Sequence, residues 1–348
     1  MTIAAILLAA GAGARFDGPV HKLRADLNSR PVLVWALDAV TAAGFDEVIV
    51  VTGADPFEDL LPDTVTVVSC PDWQLGQAHS VQTGLRAASS RGHEAVVVGL
   101  ADQPLVGTPT WRNLRLAESG PIVVSTYAGR RRPPTRLDTA VWDSVPSSGD
   151  AGARAIFTDH AEQVFEVASA GDPTDIDTVE SLATVRQRAD DIALVTELLG
   201  RVPMGPFEVV VRDDDGSPVV LKNFPVLANG RPMPTLYWLC GHRESMLVGR
   251  LESMKGVRRA EADVGLPRIA EAHERYRAER DAVLDESGVT TPHRPTGGVG
   301  GTRQGAKCLH AHYGWWLAGG DDPLGQWVAD HLHEVDYPNW PAPPNEDS

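Results

Sequence analysis

Cysteine is scarce in this chain, with three residues in a length of 348. Cys70, Cys240 and Cys308 lie far apart and are odd in number, which does not fit a disulfide framework. We therefore expect a reducing compartment, and the cytoplasm fits best.

Positive charge is also in deficit, because 31 Lys and Arg residues face 47 Asp and Glu residues and give a formal net charge of -16. Such an excess of negative charge repels phosphate backbones and anionic lipids. We expect no nucleic acid and no membrane among the partners of this protein. Any phosphate-binding site must then be local.

Long apolar runs are absent as well. The apolar start at residues 3–10 is too short to span a bilayer, lacks a preceding basic segment and runs straight into glycines. This pattern is typical of a buried strand, and it predicts neither an export signal nor a membrane anchor.

The order of apolar segments predicts two domains, as the length already suggests. In the first half, strand-like runs such as residues 3–9, 47–52 and 95–100 alternate with helical patterns. This alternation is typical of βαβ units around a mostly parallel sheet. We therefore predict a doubly wound α/β domain over residues 1–188.

A different pattern begins near residue 190. Two β-rich segments flank the turn D-D-D-G at residues 213–216, which indicates a hairpin, and helical stretches follow at 244–255, 267–284, 307–318 and 324–333. We predict a smaller α+β domain over residues 189–335 and a disordered tail at 336–348.

The first strand runs into a loop of small residues. Residues 8–16 read L-A-A-G-A-G-A-R-F, and Lys22 follows Arg15 by seven residues. Glycine has no Cβ, so backbone N–H groups in such a loop can approach phosphates closely. The G-x-G-x-x-G fingerprint is missing because position 16 is Phe, which disfavours an NAD-binding turn, and the Walker pattern is absent too.

Five motifs resemble those of the MobA-like nucleotidyltransferases, the group that contains molybdopterin cytidylyltransferase and guanylyltransferase. The loop and Lys22 match L-A-A-G-x-G-x-R-[MF]…K-L. The other four segments are G-Q-A-H-S-V-Q-T-G-L at 76–85, L-A-D-Q-P at 100–104, S-G-D-A-G-A-R at 148–154 and D-I-D-T-V-E at 175–180. The resemblance covers residues 1–185 and implies a Rossmann-type fold like that of the nucleotide-diphospho-sugar transferases.

The resemblance also implies a nucleotide site and a Mg²⁺ site. Asp102 would hold Mg²⁺, with Asp177 as the second carboxylate and Asp175 as the less favoured choice. An alternative for Asp177 is an N-cap of the helix that follows. The nucleotide would be contacted by Leu8, Ala9, Ala10, Gly11, Gly13, Arg15, Lys22, Gln77 and Ser80.

Three charged residues fit the chemistry of such a reaction. Attack on the α-phosphorus of an NTP builds negative charge, so positioned cations do much of the catalytic work. We expect Lys22 to neutralise the α-phosphate and the departing pyrophosphate, and Arg15 to bind the β/γ end. Asp102 follows a buried strand, where open α/β sheets bind ligands, and its carboxylate suits Mg²⁺. The alternatives are surface cations and a turn or N-cap aspartate.

The implied activity is a Mg²⁺-dependent transfer of a nucleoside monophosphate from an NTP to a phosphorylated small-molecule acceptor such as a molybdenum cofactor. The A-A-G of residues 9–11 is similar to members that favour CTP. Residues 132–135 read R-P-P-T where cytidylyltransferases carry N-P-V or H-P-V, which leaves the acceptor open. Two other functions stay open: an NAD(P)H-dependent oxidoreductase of the nicotine blue oxidoreductase type, and a non-catalytic nucleotide-sensing module.

The second half, residues 191–333, resembles a small bacterial family known only as domain of unknown function 501. The resemblance lies in T-L-Y-W-L-C at 235–240, S-M-L-V-G-R-L-E at 245–252, G-G-V-G-G at 297–301 and K-C-L-H-A-H-Y at 307–313. The family brings no established activity, and a protein partner of this domain is unknown.

Cysteine and histidine side chains in that half suggest a metal. On a helix over 307–318, Cys308 and His312 would share a face, and Cys240 could complete a Zn²⁺ site. Side chains two residues apart on a helix point about 200° apart, so His310 could join Cys308 only if the helix began late. Burial of these side chains in the core is the alternative.

Overall fold

The computed structural model describes residues 1–227, 230–289, 291 and 293–336. The chain divides into two compact units, the first ending at Ala189 and the second beginning at Asp190. The division falls within one helix, Val179–Leu199. From residue 337 onwards, the tail predicted from the sequence lies outside the described residues.

The first unit is built around a seven-stranded sheet. Its elements are β1 (Ile3–Ala9), β2 (Asp26–Leu27), β3 (Arg30–Pro31), α1 (Val32–Thr41), β4 (Glu47–Thr52), β5 (Thr66–Ser69), α2 (Gln77–Ser90), β6 (Ala95–Leu100), α3 (Thr108–Leu116), β7 (Ile122–Tyr127), β8 (Arg130–Asp138), β9 (Val164–Ala168) and the start of α4 (Val179–Leu199). The strand order is β5-β4-β1-β6-β8-β7-β9, and only the two pairings made by β8 are antiparallel. The predicted mostly parallel α/β sheet is confirmed.

The central strand β1 explains why helices cover both faces. All seven of its side chains are buried. Because successive side chains of a strand point to opposite faces, the odd-numbered ones pack with α1 and α3, and the even-numbered ones pack with α2. Two hydrophobic cores therefore lie on the two sides of one sheet, as in a doubly wound fold.

The second unit joins a small antiparallel sheet to a group of helices. Its further elements are β10 (Phe207–Arg212), β11 (Pro218–Asn223), β12 (Tyr237–Leu239), α5 (His242–Ser253), α6 (Gly256–Val264), α7 (Leu266–Ser287), α8 (Leu309–Leu317) and α9 (Pro323–His331). The sheet order is β10-β11-β12, so the hairpin predicted at residues 213–216 and the smaller α+β domain are confirmed. Helix α6 was not predicted.

Among the described residues, no helix combines the length and the apolar character needed to cross a membrane.

Tyr276 connects α7 to the sheet of this unit. The side chain is fully buried, and its hydroxyl accepts hydrogen bonds from the backbone N–H groups of Leu236 at 2.6 Å and Tyr237 at 3.3 Å. The ring packs edge-on against Trp315, with centroids 5.1 Å apart. One hydroxyl thus satisfies two buried donors where the chain enters β12.

Replacing Tyr276 by Phe should weaken this junction. The substitution leaves two buried N–H groups without an acceptor, a cost of about 1–3 kcal/mol. We expect faster hydrogen exchange at the Leu236 and Tyr237 amides and a lower free energy of unfolding in urea. Tyr313→Phe is the matched control, because its hydroxyl has no hydrogen-bond partner in the described part of the chain. Equal losses in both variants would contradict this role of Tyr276.

Candidate active site

A cleft of about 340 Å³ lies at the carboxyl ends of β1 and β6. The two strands are parallel neighbours, and Leu8 pairs with Leu100 at their ends. The loop after β1 and the segment containing Asp102 therefore leave the sheet side by side. Open α/β sheets bind their ligands at this edge.

Lys22 is the centre of the cleft. Its ammonium donates hydrogen bonds to Asp102 Oδ2 at 2.5 Å and to Asp177 Oδ1 at 2.8 Å. The guanidinium of Arg15 contacts the other oxygen of Asp177 at 2.9 Å. The Lys22 side chain is only 12% exposed, whereas that of Arg15 is 77% exposed. Lys22 is thus held between two carboxylates, whereas Arg15 reaches Asp177 from the exposed rim of the cleft.

The charge of Lys22 is set by these neighbours. Burial acts to lower its pKa, but the charge of Asp102 and the hydrogen bonds to Asp102 and Asp177 outweigh burial, so the pKa is raised above its ordinary value. Lys22 is therefore a permanent cation at neutral pH.

Asp102 keeps one oxygen free. Its Oδ1 is buried and has no hydrogen-bond partner among the described residues. Buried polar atoms are nearly always paired, so an unpaired carboxylate oxygen facing a cleft is suited to a cation or to a donor on a ligand.

Asp177 is held in place by the start of α4. The Ile176 amide donates to the Asp102 carbonyl at 2.9 Å, and Ile176 is fully buried. The Thr178 hydroxyl accepts from the Ser181 amide at 3.1 Å and so caps the helix. The N-cap alternative for Asp177 is therefore wrong, since its carboxylate faces Lys22 and Arg15 instead.

Asp175 has a different partner. The Gln103 side chain donates to it at 2.7 Å, and burial raises the pKa of this carboxyl above its ordinary value. Asp175 does not line the cleft. Of the two aspartates considered from the sequence, Asp177 is the one that joins the cluster.

The loop after β1, residues 11–15, leaves its backbone amides available as hydrogen-bond donors. Gly13 has a φ of +65°, and a Cβ at this position would come within 3.1 Å of Lys22 Cγ. Within the described residues, the backbone N–H groups of residues 11–15 donate no hydrogen bonds. His21 supports the loop: its Nδ1 accepts from the Leu23 amide, so Nε2 carries the proton and donates to the Gly11 carbonyl at 3.0 Å.

All nine residues predicted to contact a nucleotide line this cleft, as do Asp102 and Asp177. Sequence reasoning missed Trp73, which lines the cleft too, and left Gly76 and Asp150 out of the predicted contacts although both lie in the quoted motifs. Gly76 has a φ of +100°, and a Cβ there would lie 2.6 Å from the Gly149 carbonyl. Asp150 belongs to a motif noted in the sequence. For Trp73, the available signal was its position just after β5, at the same edge of the sheet.

The zinc site predicted at Cys240, Cys308 and His312 is wrong. Among the described residues, no set of metal-ligating atoms within 4.8 Å of one another includes Cys240 or His312. The Cys240 thiol is buried and donates to the Pro218 and Val219 carbonyls, and burial raises its pKa to about 12. His312 Nδ1 pairs instead with Asp322 at 2.6 Å. Helix α8 begins only at Leu309, and extended Cys308 precedes it, so Cys308 and His312 do not share a helix face.

Comparisons with known proteins divide the chain in the same way. Residues 5–164 match the family model of the MobA-like NTP transferase domain, and residues 209–330 match that of a protein of unknown function, DUF501. Purine catabolism protein PucB of Bacillus subtilis is 34% identical over 122 residues, which are 34% of this chain and 60% of PucB.

Two further comparisons match part of the chain. The bifunctional enzyme IspD/IspF of Caulobacter vibrioides is 40% identical over 124 residues, 34% of this chain and 31% of that enzyme. The chain thus spans less than two thirds of either curated relative. A nucleotidyl transferase structure from Methanothermobacter thermautotroptrophicus is 25% identical with a TM-score of 0.47, over 54% of this chain and 97% of that one. The first part of the chain belongs to the MobA-like NTP transferase family, and the second part belongs to the DUF501 family.

Proposed function

We propose that the first unit is a Mg²⁺-dependent nucleotidyltransferase. It transfers a nucleoside monophosphate, CMP by preference, from an NTP to a phosphorylated small-molecule acceptor such as a molybdenum cofactor. An acceptor phosphate oxygen attacks the α-phosphorus, the bond to the β-phosphate breaks, and pyrophosphate leaves. The observation that carries the proposal is the buried Lys22 between Asp102 and Asp177, beside a loop with free amides. The family match at residues 5–164 supports the reaction class.

The charges of the cleft support a divalent cation. Three carboxylates, those of Asp102, Asp150 and Asp177, line it against the two cations Arg15 and Lys22. A triphosphate would be repelled from such a surface unless further positive charge came with it. Asp102, with its unpaired buried oxygen, and Asp177 would hold Mg²⁺. The bound ion would supply positive charge to the phosphates in the transition state.

The protein's own groups bind and orient the triphosphate. The free amides of residues 11–15 are donors for phosphate oxygens. The Lys22 ammonium has three N–H donors, two of which are used on carboxylates, so the third can reach the α-phosphate. Arg15 is exposed enough to bind the β/γ end. A buried cation and an exposed one would thus act on different parts of the triphosphate.

Pyrophosphate release tests the proposal directly. We expect release from one of the four NTPs, CTP first, when Mg²⁺ and an acceptor are present. The acceptors to compare are molybdopterin and a panel of sugar phosphates. Asp102→Asn should reduce the rate at least 100-fold, since it removes a carboxylate from the metal position. Asp143→Asn, an exposed change of the same kind outside the cleft, should leave the rate unchanged.

Three other outcomes of this experiment would argue against the proposal. Tight nucleotide binding with no release for any pairing would favour the nucleotide sensor. Tight NAD(P)H binding with reduction of an acceptor would favour the oxidoreductase. Release that survives in Asp102→Asn would remove Asp102 from the reaction.

Lys22 and Arg15 should differ in their effects. Lys22→Met removes a buried, fixed cation, and we expect kcat for pyrophosphate release to fall about 10²–10³-fold. Arg15→Met removes an exposed cation, so about a tenfold rise in KM for the NTP should dominate. Arg86→Met, on α2 and away from the cleft, controls for the loss of one positive charge. Equal effects of the Lys22 and Arg15 substitutions on kcat would contradict these separate roles.

A further inference from the structure

The described residues contain one group of three side chains whose ligand atoms all lie within 4.8 Å of one another: Glu252, Cys308 and His310. Glu252 is in the last turn of α5, and the other two residues flank the start of α8. Because Cys308 is extended and the helix begins at Leu309, side chains two residues apart can reach the same point. The late helix start thus creates a cluster that a longer helix would forbid.

Backbone contacts fix the orientation of two of these side chains. His310 Nε2 lies 3.1 Å from the Ser245 carbonyl, which can only accept, so Nε2 carries the proton. The lone pair of a neutral His310 is then on Nδ1, which faces Glu252 Oε1 at 3.2 Å. Glu252 Oε1 also accepts from the Leu309 amide. Metal-bound histidines typically donate their other N–H to a carbonyl in this way.

When His310 is neutral, two acceptor atoms and a sulfur therefore lie within 4.8 Å of one another. A neutral imidazole nitrogen and a carboxylate oxygen at 3.2 Å repel each other unless a cation lies between them. A proton would satisfy that pair, but it would give no role to the Cys308 sulfur beside it. Zinc bonds of about 2.0–2.1 Å at tetrahedral angles place nitrogen and oxygen ligands about 3.4 Å apart, close to the observed separation.

We propose that the second unit binds a zinc ion through Glu252 Oε1, Cys308 Sγ and His310 Nδ1. Carboxylate, thiolate and imidazole together are the ligands that this borderline-soft ion accepts. The Glu252 and His310 side chains are 25% and 32% exposed, so water or a ligand can reach the fourth position. Zinc sites with three protein ligands and an open position are typical of catalytic rather than structural zinc. This site is separate from the nucleotidyltransferase cleft, and neither proposal depends on the other.

Cobalt and zinc binding by the full-length chain test the site. The protein is stripped with a chelator, titrated with Co²⁺ and followed by the thiolate-to-cobalt charge-transfer absorption. Zinc content after gel filtration is measured in parallel. We expect one zinc ion per chain and a charge-transfer band. The band should be lost in Cys308→Ser, and zinc affinity should fall at least tenfold in His310→Gln.

Three controls separate this site from other candidates. Cys240→Ser and Cys70→Ser should keep the band, because those thiols lie outside the cluster. Asp102→Asn should keep it as well, because cobalt bound to cleft carboxylates gives no thiolate band. Circular dichroism checks the fold of each variant. Absence of the band in the wild-type protein, or its persistence in Cys308→Ser, would overturn the proposal.

Discussion

The ammonium of Lys22 between two aspartates is the contact on which the cleft depends. It joins three segments that are distant in sequence: the loop after β1, the end of β6 and the start of α4. Without that cation, the carboxylates of Asp102 and Asp177 would face each other in a partly buried site, which is costly. Its position also defines the loop, since Gly13 lies close against the Lys22 stem. One charge therefore links the loop and its amides to the two carboxylates of the candidate metal position.

In the second unit, charge again decides where an element begins. The carboxylate of Glu252 accepts from the Leu309 amide at the first turn of α8, which favours a helix start at that residue. Cys308 is then left outside the helix and beside His310. The same carboxylate thus caps a helix and completes a set of metal-ligating atoms. The neighbouring His312 is engaged by Asp322, with both side chains almost fully buried, and this pair belongs to the core.

Much of the first unit could be predicted because its signals are local. The apolar runs of β1 and β6 place Asp102 at the edge of the sheet, and the small residues after β1 predict the loop. Asp177 lies 155 residues from Lys22, so only the family resemblance could bring the two together. The Cys308–His312 pairing failed because the start of α8 depends on Glu252 from another helix, a contact that periodicity does not encode. Trp73 was missed because its one signal was its position after β5, and a single aromatic residue there carries no motif.

The proposed site can be tested by a crystal structure of the full-length chain with Mn²⁺ and a non-hydrolysable CTP analogue. We expect Mn²⁺ to contact Asp102 and Asp177, the triphosphate to lie along residues 11–15, and Lys22 to contact the α-phosphate. A nucleotide bound elsewhere would contradict the proposed site. A metal ion bound away from Asp102 and Asp177, with Lys22 still in contact with both aspartates, would contradict it as well.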